Sequence, residues 1–201
     1  MKNIIENEKY QLEIFEALDP TNPREFYNLG TMVCFHRRYK LGDDSDLDSS
    51  DFSSWEELEE YLYKTEKALI VIPVFMYDHS GLTVNTTGFS CPWDSGQIGH
   101  IYVSKEKIRN DYGCKRISKK LKEQIHEILV SEVSIYNDYL IGNVYEFHIT
   151  DKENGEVVSS SCDFYGTDYM ENGLFDYASE YFTELDFKEA LLWMTFLDIK
   201  Q

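Results

Sequence analysis

Ala68-Leu-Ile-Val-Ile-Pro-Val-Phe-Met-Tyr77 is the stretch that decides the fold class. It is apolar without a break, has strand length and is rich in β-branched residues, so it reads as a central strand covered on both faces. Pro73 inside it has no N–H for a ladder, which predicts a bulge or an open edge there. Upstream, Ser53 or Ser54 followed three residues later by Glu56 or Glu57 is a capping-box signal, and it opens a helix over 55–64. Gly30 to Tyr39 reads as a strand with Met32, Cys34 and His36 on one face. Residues 1–18 mix acids with apolar residues and suit a strand or a short helix, and two prolines make 19–23 a loop. Downstream, a short strand near 82–86, an irregular stretch at 89–97 and a strand at 98–103 precede a short helix that Ser104 caps. Apolar residues at helical spacing from Leu121 to Leu140, closed by Gly142, predict one long helix. Asn154-Gly155 between 144–150 and 156–164 predicts a hairpin, and the tail from Met170 looks helical in two pieces. The expectation is an α+β chain with a mostly antiparallel sheet, one long packed helix and a helical C-terminal tail. It is read as a single domain over 1–201, with an acidic loop and helix at 43–60 and an acidic tail at 167–201.

Charge narrows the function classes. There are 37 Asp and Glu against 19 Lys and Arg, a net −18. Nucleic-acid binding is driven by Lys and Arg displacing counterions from phosphate, so a direct grip on DNA or RNA is disfavoured, as is anionic membrane. The favoured partner is a host protein with a basic, nucleic-acid-binding surface. No apolar run approaches the roughly 20 residues that span a bilayer. No export signal is visible at the N-terminus, so four widely spaced cysteines are expected to stay reduced in a cytoplasm. The acids concentrate at Asp43, Asp44, Asp46, Asp48, Asp51, Glu56, Glu57, Glu59 and Glu60, a run with no base, and this is the expected partner-binding surface. The balance inverts from Lys105 to Lys122, which leaves room for an acidic partner or a second copy of the chain.

Catalytic chemistry has one candidate set. Cys91 lies in a turn-rich segment with His79 upstream and Asp94 three residues on. A thiol nucleophile needs a base, and a carboxylate can orient that base; a hydrolase or transferase with Cys91, His79 and Asp94 is therefore the alternative to a binder. Against it, free cysteine usually behaves as a small buried hydrophobe. Trp93 and Gln97 could line a pocket with Asp94, but Trp93 is expected to anchor its loop on the core. Arg37 and Arg38 are expected to pair with Asp43 or Asp78. Cys34 and His36 share a strand face, yet paired zinc-ligand spacing is missing, and the Asp43–Asp48 run lacks the glycine and glutamate of a calcium loop. No metal and no cofactor are expected.

Several segments together carry a resemblance: Asn22-Pro-Arg-Glu-Phe-Tyr-Asn-Leu-Gly-Thr-Met-Val-Cys-Phe-His-Arg-Arg-Tyr39 with Leu41-Gly-Asp43, then Tyr77-Asp-His-Ser-Gly81, then Phe89-Ser-Cys-Pro-Trp-Asp-Ser-Gly-Gln-Ile-Gly99, with 136–145 and Ser161-Cys-Asp-Phe-Tyr-Gly166. Over roughly residues 20–166 the chain resembles a family of uncharacterised proteins encoded by bacteriophages and other mobile elements. With the acidity, the resemblance implies interference with host defence, of anti-CRISPR or antirestriction type, in the host cytoplasm. A structural or assembly role in a phage is the third reading, suited by the many tyrosines.

Overall fold

The computed structural model describes residues 3–190. The chain is α+β, with every strand pairing antiparallel, and it divides into two compact units.

The first unit comprises residues 22–141, inserted between the two segments of the other. Its sheet holds β3 (Thr31–Cys34), β4 (Ala68–Asp78), β5 (Leu82–Asn85) and β6 (Ser95–Ser104) in the order β3-β6-β4-β5. β4 is apolar on both faces because both are covered. Ile70, Ile72, Val74 and Met76 enter a core completed by α3 (Lys119–Ile141), which buries Ile125, Leu129, Val133 and Tyr136. Val71 joins a smaller cluster under α1 (Trp55–Lys64), with Leu58 and Leu62. Pro73 lies short of β5, which pairs only with Phe75–Asp78, and the ladder to β6 shifts register between Val74 and Phe75. Both features relieve the missing donor. α2 (Lys105–Asp111) follows β6 directly, capped by Ser104.

β3 ends at Cys34, short of the expected Tyr39. The next residues leave the sheet and return, so that Gly42 bridges Val33 and the Asp43 N–H donates to the Met32 carbonyl. Gly42 takes φ +74°, and a Cβ on it would stand 2.5 Å from that same carbonyl oxygen. Glycine is what lets the return run so close.

The second unit comprises residues up to 21 and from 142 on. Its sheet order is β1-β2-β7-β8, from β1 (Asn3–Glu6), β2 (Tyr10–Glu16), β7 (Val144–Asp151) and β8 (Val157–Tyr165). The N-terminal segment is thus a hairpin, and Asn154-Gly155 forms the expected turn, with Gly155 at φ +75°. Leu12, Ile14, Phe147, Ile149 and Phe164 pack with Leu174, Phe182 and Phe187 of the tail. The tail is helical at α4 (Leu174–Ala178) and again at 184–190; the rest of the predicted tail, 191–201, lies outside the described residues. Among the described residues no helix is long and apolar enough to cross a membrane.

Candidate functional site

The first quoted motif is built around Arg24. Its side chain is 3 % exposed and carries a fork onto Asp43, with Nε to Oδ1 at 2.7 Å and Nη2 to Oδ2 at 2.8 Å. Nη1 reaches Glu132 at 3.1 Å, and Nη2 also donates to the Gly30 carbonyl. The carboxylates are filled from the other side by main-chain donors: Leu29 and Gly30 on Glu132, Met32 on Asp43. Burial alone would lower the Arg24 pKa, but Asp43 and then Glu132 outweigh it and hold the guanidinium above its ordinary value. This network joins the 22–43 segment to α3. Asp43 is therefore an internal ion-pair partner and leaves the predicted acidic surface; it pairs with Arg24, not with Arg37 or Arg38. Arg38 pairs with Asp78, as expected.

Cys91, His79 and Asp94 do come together, in an order that matters. The Asp94 Oδ2 lies 3.7 Å from the Cys91 Sγ and 3.5 Å from the His79 Nδ1. Thiol and imidazole each meet the carboxylate, and no hydrogen bond joins them to one another among the described residues, whereas a base must touch the nucleophile it deprotonates. The Cys91 carbonyl accepts from the Ser95 hydroxyl, and the Asp94 carbonyl accepts from the Asp78 N–H at 2.9 Å, which fix the loop beside 77–81. Tyr77 stacks on both His79 and Phe89. Trp93 does not anchor this loop: it is 91 % exposed, at its tip. Gln97 points elsewhere too, with its Nε2 3.1 Å from the His100 Nε2.

His100 is a feature that the sequence reading missed. It sits on β6 opposite Val33 and Pro73, fully buried, edge-on to Trp55 at 6.2 Å. Its Nδ1 has no hydrogen-bond partner among the described residues. Burial pushes its pKa down to about 4, with Glu56 opposing.

The acidic segment is exposed and ordered by its own short-range bonds. Asp48 and Asp51 form a reciprocal capping box on a 3-10 turn at Ser49–Asp51. Glu57 accepts from the Ser53 N–H and hydroxyl, and Ser54 caps α1. Donors on Ser50 lower the Asp48 pKa, and Ser53 donors lower that of Glu57. Asp44 pairs with Lys40 at 2.6 Å and Glu60 with Lys64. Asp46 is exposed, and Glu59 is half-buried. Between this segment and residues 34–41 opens a cleft of about 1070 Å³. Phe35, Phe52 and Trp55 line it, together with the bases Arg37, Arg38 and Lys40 and the acids Asp43, Asp44, Asp48 and Glu56. Cys34 also lines it, but burial, then Asp43, pushes its thiol up to about 12, which leaves no reactive thiolate. His36 stacks flat on Tyr39 at 5.0 Å. Among the described residues no group of three or more His, Cys, Asp or Glu could hold a metal ion.

No protein-family model, curated protein or solved structure matches this chain.

Proposed function

We propose that this protein works by binding: it is an acidic, stoichiometric inhibitor of a host nucleic-acid-binding enzyme, of the anti-CRISPR or antirestriction type that its resemblance to phage and mobile-element proteins implies. The observation that carries this reading is the self-capped acidic segment from Asp44 to Glu60. The carboxylates of Asp48, Glu57 and Glu56 are held by Ser50, Ser53 and Ser54 before any partner arrives, so little ordering entropy is left for them to lose on association. Two of the acids meet a lysine only across a solvent-exposed i,i+4 pair, which a partner's basic groups displace at small cost. A host enzyme whose cleft is shaped for phosphate presents the complementary charge.

The alternative, a thiol enzyme, is favoured by the approach of Cys91 and His79 to one Asp94 oxygen. One pair of variants separates them. Cys91→Ala keeps inhibition of the host enzyme, while Asp46→Lys with Glu56→Lys and Glu60→Lys removes it. The reverse pattern, loss with Cys91→Ala alone, overturns the binder reading.

A further inference from the structure

We propose that the cleft between residues 34–41 and 43–58 receives an arginine side chain of the partner protein, an inference that rests on the binder reading above and names its contact. The cleft supplies an aromatic surface: Phe35 lies nearly parallel to Phe52 (6.3 Å, 21°) and to Trp55 (6.2 Å, 13°), and all three rings are half-buried. Asp48 and Glu56 line the same cleft. Each is stabilised as a carboxylate, Asp48 by the Ser50 N–H and hydroxyl, Glu56 by its own N–H and then Ser54. Both already accept hydrogen bonds from neighbouring Ser or backbone donors, but neither makes an ion pair among the described residues, so their charge in the cleft is not matched by a base.

The cleft also carries bases, and most of their charge is already matched. Lys40 is paired with Asp44 and Arg38 with Asp78. An anion entering here would find only Arg37 unpaired among the described residues and would lie beside Asp48 and Glu56. A cation meets aromatic rings and two carboxylates without an ion-pair partner at once. Arginine suits this better than lysine, because its planar guanidinium lies flat on an aromatic face and offers a fork of donors to carboxylate oxygens. Arg37, exposed and without a carboxylate in ion-pair range among the described residues, is left for the carbonyl or acidic groups that flank the incoming arginine.

The test is a chemical-shift titration of the labelled protein with a blocked peptide, acetyl-Gly-Arg-Gly-amide, with its Lys and Glu counterparts and AMP as comparators. The arginine peptide is expected to shift the Trp55 indole resonance. Phe52→Leu should weaken that binding roughly fivefold to tenfold, while Phe52→Tyr restores it; Asp48→Asn with Glu56→Gln should also weaken it. A melt of each variant shows that the fold survives. No shift at Trp55, a shift untouched by Phe52→Leu, or tighter binding of the Glu peptide or AMP overturns the proposal. If Phe52→Leu captures the host enzyme as well as the wild type, the cleft is excluded and the binder reading stands. If the peptide binds at Trp55 but no host enzyme is captured, the binder reading is what falls.

Discussion

Arg24 holds a full charge where water hardly reaches it, and it is tolerated because its contacts, to Asp43, Glu132 and the Gly30 carbonyl, are all made within the fold. Removing it strands two partly buried carboxylates. Arg24→Ala is therefore expected to cost about 3–5 kcal/mol in denaturant melts, more than its apolar burial would suggest. His100 gives the pH dependence. Its folded pKa is lowered from 6.5 to about 4 by burial. Between those values the unfolded chain binds a proton that the folded one refuses, so stability is complete above pH 6.5 and falls as pH drops towards 4. The loss is roughly 3 kcal/mol. His100→Gln should flatten that part of the stability-versus-pH curve, measured against wild type so that the carboxylates cancel. Neither residue's role was legible beforehand. Arg24 and Asp43 both stand in the quoted motif, but Glu132 lies over a hundred residues away, and nothing local reports a contact across that distance. The nearer pair, Arg37 and Arg38, drew the expectation. Asp94 does meet Cys91 and His79, yet which of the three groups touch is a matter of geometry alone.

Elements whose signal is local were legible. The helix expected over 55–64 is α1, because Ser54 caps it and Leu58 and Leu62 fall one turn apart onto one face. The run from Ala68 declared β4, and helical spacing declared α3. β3 was overextended to Tyr39, since Phe35 to Tyr39 looks strand-like by composition while the chain must turn back to bring Asp43 to Arg24. Gly99 shows how tightly this corner is built. A Cβ there would sit 1.9 Å from the Val33 carbonyl oxygen, main chain that cannot rotate aside. Gly99→Ala is expected to destabilise by at least about 3 kcal/mol or to prevent soluble folding, read by expression and thermal melt. Ser54→Ala, by contrast, should cost about 1 kcal/mol, the ordinary price of a helix cap.

At the scale of the molecule, sequence pattern showed the α+β class and the antiparallel pairing, but not that the eight strands of the described residues form two sheets of four. The passages at 21–22 and 141–142 between units carry no Gly- or Ser-rich linker. The charge reading changes in detail: Asp43 turns inward, Asp48 and Asp51 stand on a self-capped turn and Glu56 to Glu60 on the capped α1, and three bases share the cleft. Trp93, exposed at the tip of the 89–97 loop, suits a partner contact better than a structural one. Trp93→Ala should leave stability within about 0.5 kcal/mol while weakening partner capture by more than roughly tenfold, as loss of an interface anchor does. The most direct test of the binder account is capture from host lysate on the immobilised full chain at low and high salt. The account predicts that a restriction or CRISPR nuclease is recovered at low salt and lost at high salt, as charge-driven association requires. Recovery of no nucleic-acid enzyme, or of one held equally at both salt concentrations, would contradict it.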